Sequence, residues 1–293
     1  MRVLLTLVIV AALAIGAGLF ITRPKADGAD VLAGLTPDPA HGEIVFTASG
    51  CASCHMAEGA TGEAKLVLSG GQAFPSDFGT FHAPNISQSE SAGIGGWTDL
   101  DLWNALHHGT SPEGEHYYPV LPYGAYIHMT PQDVVDLHAY MVTLPADETP
   151  SLPHDVGFPF SIRASLGGWK MLFLNDDWVM QGDLTSELER GRELVEAMGH
   201  CAECHTPRNA LGGLKTGADW LSGAPNPAGR GSFPDLVTLD WSADEIAEYL
   251  SSGFTPEFDS AGGHMALVVE NFAALAPEDR AAVAAYIKAL PIQ

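Results

Sequence analysis

Cys51-Ala52-Ser53-Cys54-His55 and Cys201-Ala202-Glu203-Cys204-His205 hold every cysteine of this 293-residue chain. Both stretches read C-x-x-C-H. Two thiols three positions apart on a helical turn can add to the two vinyl groups of one haem, and the adjacent imidazole then faces the iron from the proximal side. A thioredoxin-like redox pair would need a βαβ setting, which the flanking sequence does not provide. A single zinc site would have to join pairs that are 150 residues apart (201 − 51), each with its own histidine. The clustering also excludes an ordinary disulfide scaffold. The residues therefore predict two covalently bound haem c groups. Cys51, Cys54, Cys201 and Cys204 would attach them, and His55 and His205 would bind the iron.

Working outward, the surroundings of the two motifs repeat. Leu68-Ser69-Gly70-Gly71 recurs as Leu221-Ser222-Gly223-Ala224, and Pro84-Asn85-Ile86 as Pro234-Asp235-Leu236. Trp97-Thr98 leads to Gly109 after 12 positions, as Trp241-Ser242 leads to Gly253. Thr130-Pro131-Gln132-Asp133 returns as Ala276-Pro277-Glu278-Asp279. The chain is a tandem duplication of one module. Proline in the first turn and an acidic residue behind it are helix-start signals. The Gly- and Pro-rich stretches between each haem motif and Trp97 or Trp241 read as wrapping loops. Trp97, Trp241, Tyr140 and Tyr286 read as packing residues.

Each iron calls for a sixth ligand from the later part of its module. After His205 the sole methionine is Met265, 60 positions on (265 − 205), in Gly262-Gly263-His264-Met265. A thioether opposite histidine raises the reduction potential. His264 is the fallback. In the first module Met129, 74 positions past His55, is the candidate. His128, His116 or an open position are its alternatives, because Met129 aligns with Leu275 when counted from the final helix. Met56 abuts His55 and cannot reach the opposite face.

Residues 3–21 are almost uninterrupted apolar sequence between Arg2 and Arg23-Pro24-Lys25. At about 1.5 Å per residue such a helix matches the hydrocarbon core of a bilayer. The segment, 1–25 with its flanks, is an uncleaved anchor or a cleaved signal peptide, and either exports the rest of the chain. The net charge is −23 (13 − 36). Nucleic acid is excluded as a partner, since its backbone demands clustered lysine and arginine.

Taken together, Gly93-Ile94-Gly95-Gly96-Trp97-Thr98, Tyr117-Tyr118-Pro119-Val120-Leu121-Pro122-Tyr123, Phe158-Pro159-Phe160-Ser161-Ile162-Arg163 and the run from Gly199 to Arg208 resemble the cytochrome c subunits of bacterial membrane-bound alcohol and gluconate dehydrogenases. The resemblance implies a mostly α fold: two tandem class I cytochrome c domains (36–147 and 186–293), a structured linker (148–185) and the N-terminal apolar helix. It implies a di-haem carrier on the periplasmic side of the inner membrane. The donor would be a periplasmic or membrane-bound dehydrogenase, and the acceptor a cytochrome, a quinone-linked enzyme or an oxidase. Triple-haem relatives have a third module, which these residues do not contain. Many relatives also have methionine where Leu121 stands, and leucine cannot bind iron; relatives with a later methionine at the place of Met129 keep a ligand. The linker holds Phe158, Phe160, Trp169, Met171, Leu172, Phe173, Leu174 and Trp178, which flexible tethers lack. The alternative function is a di-haem enzyme, of thiosulfate dehydrogenase or peroxidase type, using a weakly ligated first haem. Leu121 and the histidines His107, His108, His116 and His128 keep it open, although loop or surface placement is the plainer reading of those histidines.

Overall fold

The computed structural model describes residues 1–227, 229 and 231–291. An isolated apolar helix, α1 (Arg2–Ile21), has no buried residue and a mean hydropathy of 2.7 over its best window. Two helical modules follow, and the helix that begins after Thr98 in the first shares its capping box with its counterpart in the second. In the first, α2 (Pro39–Ala48) is capped by the Asp38 carboxylate, α3 (Cys51–His55) carries the first motif, and α4 (Asp99–His108) opens with a Thr98/Asp101 capping box. A short turn, α5 (Tyr123–Tyr126), precedes α6 (Pro131–Met141), which has a Thr130/Asp133 box and proline in its first turn. These reciprocal bonds satisfy the orphan amides of a helix start.

After the linker helix α7 (Ser165–Phe173), the second module repeats the plan. It comprises α8 (Ser186–Arg192), a π-helical turn (Glu193–Met198), α9 (Ala202–His205), α10 (Ala243–Ser252), α11 (His264–Ala274) and α12 (Pro277–Ala289). Ser242 and Glu245 box α10 as Thr98 and Asp101 box α4. Gly109 and Gly253, both left-handed, stop the two helices.

In each module the first helix crosses the last with the backbones in contact. A Cβ on Gly42 would lie 1.9 Å from the Asp136 carbonyl oxygen, and one on Gly191 2.2 Å from that of Ala282. Below these crossings lies one continuous core that runs through both modules, from Val45, Leu137 and Met141 to Leu194, Val195 and Ile287. Tyr286 is fully buried within it, and Trp97, Tyr140 and Trp241 pack against it.

The loops expected between motif and tryptophan contain strands. β1 (Ala73–Ser76) pairs antiparallel with β2 (Gly79–His82), which also pairs with β3 (Asp155–Val156) from the linker. Among the described residues the second module has β4 (Ala224–Pro225) paired with β5 (Ser232–Phe233). Strands this short leave no usable period in the sequence.

The linker is fastened at both ends. Asn85 Nδ2 donates to the carbonyls of Asp147 and Thr149, each at 2.8 Å. Lys170 Nζ donates to His108 O and Gly109 O in the first module, and Trp169 Nε1 donates to Leu211 O in the second. Burial lowers the Lys170 ammonium to about 8. Trp178 stacks on His128 with ring centroids 4.3 Å apart.

Gly191→Ala forces a methyl into the Ala282 carbonyl. It should lower the stability of the second module by about 1–3 kcal/mol, read as an earlier transition in thermal unfolding, and Gly42→Ala should do the same to the first. Unchanged unfolding curves for both variants would rule out the close crossing.

Candidate cofactor sites

The cysteine pairs and their histidines occupy one helical turn each, α3 and α9. Burial pushes the Cys51 and Cys201 thiols up to about 12, and Cys54 and Cys204 to about 11. The two motifs approach each other in space, since His200 beside Cys201 lies 3.3 Å from the Ser49 carbonyl oxygen, two residues before Cys51.

Each imidazole is fixed by one backbone carbonyl. His55 Nδ1 lies 2.8 Å from Pro84 O, and His205 Nδ1 lies 2.8 Å from Pro234 O, each 29 residues down the chain. A carbonyl only accepts, so Nδ1 carries the proton and Nε2 keeps its lone pair. Burial holds both rings below the ordinary histidine pKa, which keeps them neutral. The carbonyls are placed by a second shared device. Gly70 N–H donates to His55 O at 2.7 Å, and Gly223 N–H to His205 O at 2.8 Å. Leu68 and Leu221 stand just before, left-handed at φ 57° and 54° and almost wholly buried. Their carbonyls accept from Ile86 N–H (3.0 Å) and Leu236 N–H (2.9 Å), which closes each loop over its histidine.

The opposite side differs between the modules. After α4, an isolated bridge joins Thr110 to His116; after α10, the matching bridge joins Phe254 to Ser260. Tyr117 N–H donates to Gly109 O (2.7 Å), as Ala261 N–H does to Gly253 O (2.8 Å). In this register Met265, five residues past Ser260, corresponds to Leu121, five residues past His116. Met265 is half-buried in the first turn of α11. Met129 is 3 % exposed and lies just before the cap of α6, the place that Leu275 takes before α12. The thioether of the second module thus stands where the first has a leucine, and the first module's own thioether is buried eight residues later (129 − 121).

His107, His108, His116 and His128 of the first module are not loose surface groups. His116 is buried and its Nε2 donates to Thr22 O at 3.0 Å. His107 stacks on Trp103 at 4.3 Å, and His108 Nε2 lies 2.9 Å from Asp27 Oδ2. His128 lies against Trp178, and burial lowers its pKa to about 4. His264 is exposed and stacks on Phe74 of the first module.

Sequence reasoning missed the seam between the motifs. Ser49 O accepts from Tyr126 Oη and lies 3.3 Å from His200 Nε2, and the Tyr126 and His200 rings meet edge to face at 5.8 Å. Asn271 Nδ2 donates to Ser53 Oγ, between Cys51 and Cys54, at 3.0 Å, and Lys65 pairs with Glu270. No periodicity marks these residues, because each acts on a partner far away in sequence.

The donor set fits haem c twice over: two thiols and a neutral imidazole held at Nδ1 in each module, with the half-buried Met265 thioether in the second. Comparison with known proteins agrees. The cytochrome c family model matches residues 39–145 and 188–291. A diheme cytochrome c-type protein of Cereibacter sphaeroides is 57% identical over 277 residues, 94% of this chain and 93% of that one. The fructose dehydrogenase cytochrome subunit of Gluconobacter japonicus is 35% identical over 263 residues, and the gluconate 2-dehydrogenase cytochrome c subunit of Pantoea cypripedii is 31% identical over 265. These alignments cover 87% and 85% of this chain but only 53% and 58% of those subunits. The two matched regions are the two copies of the module, each with its C-x-x-C-H turn, and the chain belongs to the cytochrome c family, whose members hold haem c covalently.

Proposed function

We propose that the chain is a two-haem electron carrier, taking electrons from a dehydrogenase and passing them to a respiratory acceptor on the periplasmic side of the bacterial inner membrane. The observation that carries this reading is the repeated imidazole–carbonyl bond, which prepares one proximal nitrogen in each module. Cys51 and Cys54 attach one haem, and Cys201 and Cys204 the other; His55 and His205 are the proximal ligands. Bound haem supplies the one-electron chemistry. The residues of the chain orient it and exclude water with the shared core. The bond at Nδ1 raises the basicity of each ligand nitrogen, which favours the ferric state. The seam at Ser49, Tyr126, His200 and Asn271 fixes the two motifs against each other. Helix α1 is long and apolar enough to hold the carrier at a membrane, and the names of the dehydrogenase cytochrome subunits support a dehydrogenase as donor.

Met265 serves as the sixth ligand of the second haem. For the first, the register with Leu121 leaves Met129 as the thioether of that module. A second reading rests on the same leucine: if Met129 does not bind, the first haem has an exchangeable position and the protein is a di-haem enzyme.

Haem-loaded protein should give two haems c per chain by pyridine haemochrome assay, and a single haem would refute the duplicated site. Met265→Leu and Met129→Leu should each turn one haem high spin, observed by electron paramagnetic resonance. A fully low-spin Met129→Leu variant removes Met129 as ligand; a high-spin wild type with peroxidase or thiosulfate turnover favours the enzyme. Gly223→Ala places a methyl 2.9 Å from Phe233 O and 3.1 Å from the Pro234 carbonyl carbon. Displacing that carbonyl should raise the potential of the second haem by roughly 40 mV, if the bond favours the ferric state by about 1 kcal/mol. Redox titration reads this against the unchanged first haem.

A further inference from the structure

The turn after α10 copies the turn after α4, yet among the described residues only the first has a basic side chain of the chain paired with it. The same bonds close both. Ser111 N–H donates to Glu115 O (2.9 Å) and Gly114 N–H to Ser111 O (2.9 Å); Thr255 N–H donates to Asp259 O (2.8 Å) and Phe258 N–H to Thr255 O (2.9 Å). The tip residue is left-handed in each, Gly114 at φ 76° and Phe258 at φ 66°. Glycine adopts this conformation freely, and phenylalanine does so against its Cβ. Of the other non-glycine residues in this region, Leu68 and Leu221 are locked in the core and His200 lies in the seam on Ser49 O. Phe258 is 88 % exposed and Phe254 beside it 56 %. The Phe258 ring in particular is left almost wholly to solvent.

In the first module basic segments of the chain itself lie beside the equivalent turn, whose tip stays exposed. Arg163 Nη1 lies 3.5 Å from Glu115 Oε2 and donates to His116 O at 3.3 Å, while Arg23 and Pro24 line the recess over Gly114. In the second, Asp259 takes the place of Glu115 and pairs with no cation among the described residues. Asp244 and Glu248 of α10 line the groove beside the two phenylalanines, and Glu257 flanks the tip; all three are exposed. From residue 231 to 279 the sequence has ten acidic residues and no lysine or arginine. The turn also leads within four residues from Ala261 to Met265.

We propose that Phe254 and Phe258, ringed by Asp244, Glu248, Glu257 and Asp259, are the docking surface for a redox protein with a basic rim around an apolar recess, and that electrons leave the chain there from the second haem. This rests on the carrier reading. The basic segments beside the first module's turn indicate the chemistry that fits the second. Acidic rim residues steer encounter, and desolvated aromatic rings hold the complex. The step moves one electron: the second haem passes from ferrous to ferric and the partner's haem from ferric to ferrous, with no bond made or broken.

The test uses reduced, haem-loaded full-length protein and ferric, lysine-rich mitochondrial cytochrome c as the probe in stopped flow. The wild-type second-order rate should fall with rising ionic strength. Phe258→Gly should cut the rate about tenfold or more, while haem content is unchanged and the unfolding temperature is equal or higher, since the tip strain is gone. Paired Glu257→Lys and Asp259→Lys changes should flatten the salt dependence. Wild-type rates in both variants overturn the docking surface and leave the carrier reading intact. A wild-type dimer in sedimentation that Phe258→Gly dissociates gives the face to a second copy of the chain and likewise overturns it. A wild type that can be reduced but passes no electron to the probe or to ferricyanide overturns the carrier reading and this proposal with it.

Discussion

The bond from a histidine Nδ1 to a proline carbonyl 29 residues away is the constraint on which each module is built. It selects the tautomer, aims Nε2, and demands that a long loop return to the imidazole with its backbone foremost. The left-handed leucine and the glycine behind it exist to make that return. A leucine in this conformation is unfavourable by itself. Both copies tolerate it because the side chain is fully buried there, so packing offsets the backbone cost.

The helical frame serves the same end. Gly42 and Gly191 let the first and last helices of each module touch backbone to backbone, which closes the shell around the motif turn. Capping boxes at α4, α6 and α10 fix where those helices begin, and left-handed glycines fix where α4 and α10 stop. The linker adds a third strand to one module and an indole bond to the other, so it is a structural part of both.

Duplication has let the two copies diverge where function, rather than folding, sets the demand. The proximal sides superpose bond for bond. The later loops do not: Leu121 stands against Met265, and a turn whose Glu115 pairs with Arg163 stands against one that carries the exposed Phe258. The segment after α1 packs on the first copy, through Thr22 on His116 and Asp27 on Trp103, while the linker packs on both.

The sequence alone was sufficient for the class of cofactor and for the duplication, because covalent attachment requires cysteines and histidine at a fixed local spacing. The starts of the helices at Pro131 and Pro277 were legible because proline in the first turn with an acidic residue behind it is a local signal. The short strands, the fate of His107, His108, His116 and His128, and the seam joining Ser49 and Ser53 to His200 and Asn271 were decided by tertiary structure. Each depends on partners brought together from distant positions, and side-chain identity does not encode such distances. The same holds for the correspondence of Leu121 with Met265: counting from the final helix points to Leu275, and only the bridges that close the two turns set the register.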